Sequence, residues 1–119
     1  MEFKKQKPIY LQIADTMCER ILDGEWRDEE RIDSVREVAE AMGVNPNTAL
    51  RAFDYLQNAD IIYNRRGVGY FVAIDARQKA LQLQRDYFLN EELPYIVQQM
   101  RILGLSFDDL KKHIPTVEQ

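Results

Sequence analysis

The sequence predicts a mainly α-helical fold carrying one small β-hairpin, on three observations. Apolar residues recur at i, i+3, i+4 and i+7 in successive stretches, the spacing that gives a helix one apolar face. One segment, Ile61 to Ile74, replaces that rhythm with β-branched and aromatic residues around a glycine-containing turn. Asp23-Gly24, Gly43, Asp60 and Gly104 fall where helical patterns stop. The change of pattern divides the chain into residues 1–75 and a helical segment, residues 76–119.

A chain of 119 residues with 45% apolar content makes one domain, or a small domain with an appendage, and can close a core. Its longest apolar run, Tyr70 to Ile74, is far short of a membrane span, and MEFKKQK has no apolar signal region, so a soluble cytoplasmic protein is expected. The single cysteine, Cys18, lies among apolar helical positions and reads as a buried inert thiol.

Pro8 opens the first helix, with Tyr10, Ile13, Ala14, Met17 and Ile21 along one stripe and Leu11, Cys18 and Leu22 widening it. Asp23-Gly24 ends it. In the polar connector that follows, Trp26 is the expected anchor to the core. Asp28, Glu29 and Glu30 are adjacent and point in different directions, with no histidine or further acid at ligand spacing, so a solvated loop is expected rather than a metal site.

The most informative stretch is Ser34 to Ala59. Val35, Val38, Ala39 and Met42 give one helix an apolar face, and Ala49, Ala52, Phe53 and Leu56 give a second helix another. Ser34 with Glu37 three residues on has the spacing of a capping box, Gly43 supplies the stop, and Asn45-Pro46 has the form of an N-cap followed by proline at the first helical position. Two short helices joined by a glycine-containing turn form a helix-turn-helix, whose second helix enters the DNA major groove. An ordinary helical hairpin is the alternative. Against it stands the far side of the second helix, where Asn47, Arg51, Asp54 and Asn58 form a polar stripe.

Ile61-Ile62-Tyr63 and Tyr70 to Ile74 then read as two strands around the turn Asn64 to Gly69, whose tip offers Arg65, Arg66 and Gly67 to a phosphate or a minor groove. A hairpin directly after a recognition helix makes the unit a winged helix-turn-helix. Gly67-Val68-Gly69 precedes a strand and lacks a third glycine, so it is not a nucleotide loop. The formal net charge of −4 is unusual for a DNA binder, but residues 31–72 are neutral and all their positive charges are arginines: Arg31, Arg36, Arg51, Arg65 and Arg66. Arginine suits bidentate contact with phosphate or guanine.

PIYLQIADTMCERILDGEW, DSVREVAEAMGVNPNTALRAFDYLQ and RRGVGYFV together resemble the DNA-binding domain of the GntR family of bacterial transcription regulators from Pro8 to Val72, and Asn45-Pro46-Asn47-Thr48 with the short C-terminal segment is similar to the YtrA subfamily. The resemblance implies a DNA-contacting arginine at Arg36, a phosphate-binding threonine at Thr48 and a wing tip at Gly67 with Arg66 before it. Two positions depart from the usual family pattern: Asp33-Ser34 stands where many members have Pro-Ser, and Pro46 where many have an arginine. Asp33 adds negative charge near the expected backbone contact. Base reading therefore shifts to Asn47 and Arg51, with Leu50 meeting a thymine methyl. The candidate DNA-binding set is Ser34, Arg36, Asn45, Asn47, Thr48, Leu50, Arg51, Arg65, Arg66 and Gly67.

From Ala76 to Leu103 the pattern is helical again, with Pro94 breaking or kinking it and Asn90 placed to cap a second segment, so two helices or one bent helix both fit. Gly104 ends that stretch, and Ser106 with Asp109 starts a last short helix before Pro115. Leu83, Tyr87, Leu93, Ile96, Val97, Met100 and Leu103 present more apolar surface than a small winged helix covers, which predicts a dimerisation surface; folding back onto the first domain is the alternative. Two copies related by a two-fold axis would meet a pseudo-palindromic site with half-sites roughly 34 Å apart. His113 reads as a surface residue at a helix terminus.

The expected function is therefore a homodimeric, sequence-specific regulator of transcription, a repressor acting by occupying double-stranded operator DNA. The YtrA-type resemblance adds control of a transport operon. No catalytic arrangement, cofactor or metal site is expected, and a small-molecule effector near Tyr87 and Tyr95 is left open. The rival reading is a winged-helix module that binds protein, which the acidic charge would suit.

Overall fold

The computed structural model describes residues 6–115. In chain order they form α1 (Ile9–Leu22), α2 (Val35–Met42), α3 (Pro46–Asn58), β1 (Ile62–Arg65), β2 (Gly69–Val72), α4 (Ala76–Tyr87), a π-helical turn (Phe88–Glu92), α5 (Leu93–Leu103) and α6 (Phe107–His113). The chain has two compact units, one running to Arg85 and the other starting at Asp86.

In the first unit α3 packs against both α1 and α2. Its inner face, Ala49, Ala52, Phe53 and Leu56, is completely buried, and the two alanines let neighbouring helices approach closely. Ile13, Ala14, Met17, Cys18 and Ile21 of α1 and Val38 of α2 join this face in the core. Phe53 sits at its centre, with the Tyr70 ring edge-on at 4.8 Å.

The antiparallel pair β1 and β2 pairs Ile62 with Val72 and Arg65 with Gly69, and buries Ile62 and Val72. The hairpin is longer toward its tip than expected, since Asn64 and Arg65 belong to β1 and Gly69 to β2. It also has an unexpected third edge. The connector after α1 pairs Arg31 with Phe71, the Ile32 N–H donates to the Tyr70 carbonyl at 2.9 Å, and the Val72 N–H donates to the Glu30 carbonyl at 2.9 Å. Burial of Trp26 and Ile32 pins this connector, Trp26 being the anchor its aromatic character predicts.

Asp60, just past α3, takes the left-handed conformation (φ 60°), which a short polar side chain tolerates better than a bulky one. Its carbonyl accepts from Lys79 Nζ at 3.1 Å, and the Asp75 N–H donates to Asp28 Oδ2 at 3.0 Å. These bonds seat the start of α4, whose Ala76 and Ala80 are buried in the first unit's core. The change of pattern at residue 75 thus marks where strand gives way to helix, while the packing of the first unit continues to Arg85.

In the second unit Asn90 does not cap a helix, contrary to the expectation from sequence. It lies inside the π-helical turn, where the Leu93 N–H donates to the Phe88 carbonyl five residues back. The reason is Pro94, which has no N–H to give to the residue-90 carbonyl and whose ring crowds it; a widened turn absorbs both defects, so the helical run needs no capped restart. Gly104 (φ 69°) ends α5, and the Leu105 N–H closes the last turn on the Met100 carbonyl at 2.8 Å. Ser106 and Asp109 form a reciprocal capping box at α6. No residue of α5 or α6 is buried. No described helix is long and apolar enough to cross a membrane.

Phe53→Ala should destabilise the first unit by about 3–5 kcal/mol, because the ring is fully enclosed and its neighbours are held by three elements. Urea unfolding followed by circular dichroism would measure it, and an unchanged midpoint would contradict this description of the core.

Candidate nucleic-acid interface

Local bonds fix where each candidate contact begins. At α2 the Ser34 hydroxyl accepts from the Glu37 N–H at 3.1 Å, and Glu37 Oε1 accepts from the Ser34 N–H at 2.9 Å. The backbone bond from Ser34, then its side-chain bond, hold the Glu37 carboxyl below the usual carboxylate range. This box sets the helix phase of Arg36, which is exposed and has no ion pair or hydrogen bond among the described residues. At α3 Asn45 Oδ1 accepts from the Asn47 N–H at 2.8 Å, and the Asn45 carbonyl accepts from the Thr48 N–H at 2.9 Å. Asn45 therefore works as a cap, with Pro46 at the first helical position.

Asn47, Leu50, Arg51, Asp54 and Asn58 are exposed along α3, opposite its buried face, and Thr48 is half-buried. Leu50, at 39% exposure, is an apolar group on a polar face, a shape suited to a methyl group. The Arg51 guanidinium carbon lies 4.1 Å from the centre of the Tyr10 ring on α1.

In the wing, the Val68 N–H donates to the Arg65 carbonyl at 2.8 Å across a turn in which Gly67 has φ 78°. That angle is what the third position of a type II turn demands, and the space beside Gly67 is open to an approaching backbone. Arg66 stands at the tip, exposed. Arg65 does not share the tip as the sequence suggested: pairing with Gly69 draws it into the strand, where its guanidinium lies 5.2 Å from the Phe71 ring. Phe71 stacks in turn on Tyr63 at 5.7 Å, and the Tyr63 hydroxyl donates to Glu29 at 3.3 Å.

Two features escaped the sequence. Arg31 lies directly under the wing, its Nε 3.0 Å from where a Cβ on Gly69 would stand. The available signal was Ile32, the lone apolar residue in a charged run and therefore a sign that its neighbours border a core. The second is the partner of Asp33, whose carboxylate is 3.5 Å from the Arg20 guanidinium, itself resting 5.2 Å from the Trp26 ring. Its negative charge is thus partly balanced beside the α2 terminus.

The residues read as a dimer surface separate into two groups. Leu83 packs against the first unit's core. Tyr87, Leu93 and Met100 are half-buried, and Ile96, Val97 and Leu103 are exposed. Ile102, Phe107 and Ile114, which were not in that set, are exposed too, more so than Ile96 and Val97. Within the second unit a groove of about 460 Å³ is lined by Leu89, Leu93, Pro94, Val97, Gln98 and Arg101. Burial pushes the Cys18 thiol up to about 12, with the Asp15 charge adding to the shift, so it stays protonated. Among the described residues no group of acids, histidine and cysteine has metal-site geometry.

The family model of bacterial regulatory proteins, gntR family, matches residues 9–72. An HTH-type transcriptional regulator of Bacillus subtilis, YhcF, is 36% identical over 97% of this chain and 93% of its own length. The HTH-type transcriptional repressor YtrA of the same organism is 27% identical over 96% and 87%. Among solved structures, a GntR-family transcriptional regulator from Bacteroides thetaiotaomicron is 44% identical, with a TM-score of 0.71 over 88% of this chain and 91% of that one. The AraR DNA-binding domain in complex with operator ORX1 is 26% identical, with a TM-score of 0.55 over 57% and 82%.

A pH dependence follows from the cap. A lowered carboxyl pKa contributes stability that is fully present above its ordinary value, near 4.5, and is lost as pH falls through the lower folded value. Glu37→Gln should therefore melt at a lower temperature than the unmodified chain at neutral pH, with the gap closing below pH 4.5. A gap that stays constant with pH would contradict the charged cap.

Proposed function

The chain belongs to the gntR family of bacterial regulatory proteins, DNA-binding regulators of transcription and not enzymes, and from that premise we propose that it is a repressor occupying a pseudo-palindromic operator as a homodimer. One observation carries the reading. Asn47, Leu50 and Arg51 form an exposed stripe on α3 whose inner face is completely buried, so the helix cannot turn that stripe inward without dismantling the core.

In this reading α3 enters the major groove, Arg51 and Asn47 meet base edges, and Leu50 meets a thymine methyl. Ser34, Arg36, Asn45, Thr48, Arg66 and Gly67 border phosphates, with Arg65 along the wing. The apolar surface of α5 and α6, where no residue is fully buried among the described residues, supports a second copy as its cover. Likeness to the repressor YtrA supports repression, and control of a transport operon is the further expectation that the sequence resemblance brings. A cytoplasmic site of action goes with this role. Tyr87 and Tyr95 remain the expected neighbours of any small-molecule effector.

Fluorescence anisotropy with the duplex immediately upstream of the gene tests the proposal. Specific binding should weaken steeply with salt. Binding to partner protein alone, with no duplex bound at low salt, would instead favour a winged-helix interaction module, the reading that the net charge of −4 suits. Arg51→Ala should cost about 1–3 kcal/mol and relax sequence preference, whereas Arg66→Ala should weaken all duplexes alike. Unchanged binding by the Arg51 variant would remove Arg51 from base reading.

A further inference from the structure

Tyr10 is absent from every functional assignment above. It lies on α1, on the stripe that the sequence predicts to face the core, yet it is only half-buried. Its ring meets Tyr55 edge-on, with centres 6.1 Å apart and planes at 80°, and it also meets Arg51 at 4.1 Å. Arg51 and Tyr55 are four residues apart and so share one face of α3, and Tyr10 touches both.

We propose that Tyr10 is a positioning residue for Arg51, and through it a determinant of sequence specificity; this rests on Arg51 reading bases. A guanidinium attracted to a ring face is held without committing its N–H donors, whereas an ion pair would occupy them. Arg51 has no hydrogen bond or ion pair among the described residues, so all its donors stay available to guanine O6 and N7. The ring also narrows the range of Arg51 side-chain conformations before DNA arrives. That lowers the ordering cost of binding. The edge-on contact with Tyr55 keeps the ring itself from swinging away.

The test uses the full chain and a duplex enriched by it from a random-sequence pool, against a scrambled duplex of the same composition. Tyr10→Leu should weaken the enriched duplex by about 2- to 5-fold and leave the scrambled one unchanged. Tyr10→Phe, which keeps the ring, should bind as the unmodified chain does. In an Arg51→Ala background Tyr10→Leu should have no further effect, because its partner is already gone.

Multiplicative losses from the two substitutions would overturn the proposal. So would an equal weakening of both duplexes by Tyr10→Phe, which would make the hydroxyl a phosphate contact. Melting midpoints separate a loosened α1 from lost positioning, since a loosened helix would lower binding to both duplexes. If Arg51→Ala leaves the ratio between duplexes unchanged, base reading by Arg51 fails, and a pool that yields no enriched duplex defeats DNA reading itself. Those two failures are distinct from additivity, which defeats only the role of Tyr10.

Discussion

The burial of one face of α3 is the constraint on which the rest of the structure depends. Ala49, Ala52, Phe53 and Leu56 are enclosed by α1, α2 and the hairpin, which fixes both the position and the rotation of the helix. A polar stripe on a helix free to rotate would read nothing. Here, rotating it would expose Phe53 and bury Arg51, and both changes are unfavourable by several kcal/mol by ordinary transfer energies. The caps at Ser34 and Asn45 add the longitudinal register, so that Arg36 and Asn47 start at defined points along their helices.

An acidic protein that binds DNA must place its few cations carefully. Among the described residues three arginines rest on aromatic rings: Arg20 on Trp26, Arg51 on Tyr10 and Arg65 on Phe71. Of these, Arg20 alone also faces carboxylates among the described residues, those of Glu25 and Asp33. Along α3 and the wing, therefore, charge is oriented by rings and kept available for phosphate or base edges. The Arg31 guanidinium, beside Gly69, adds a further positive charge next to the wing tip.

Much of this was legible in the sequence because it depends on local chemistry. The capping box at Ser34 and Glu37, the left-handed Gly43, the Asn45-Pro46 helix start and the apolar spacing of α1 to α3 each involve residues within a turn or two of one another. What was not legible depends on contacts between distant segments. The pairing of Arg31 with Phe71, the seating of α4 by Asp28 and Asp60, and the contact between Tyr10 and Arg51 join positions far apart in the chain. Asn90 misled for a different reason. A cap residue ahead of a proline usually restarts a helix, but here a π-helical turn accommodates Pro94 instead. Arg65 was assigned to the turn because strand pairing with Gly69 leaves no trace in a run of polar residues.

The central claim is that two copies of α3 read two half-sites in adjacent major grooves. Hydroxyl-radical footprinting of the upstream duplex, combined with methylation interference at guanine N7, tests it most directly. The account predicts two symmetry-related protected patches with centres about one helical turn, roughly 34 Å, apart, each containing guanines whose N7 methylation blocks binding. A single patch, or protection indifferent to methylation in the major groove, would contradict it.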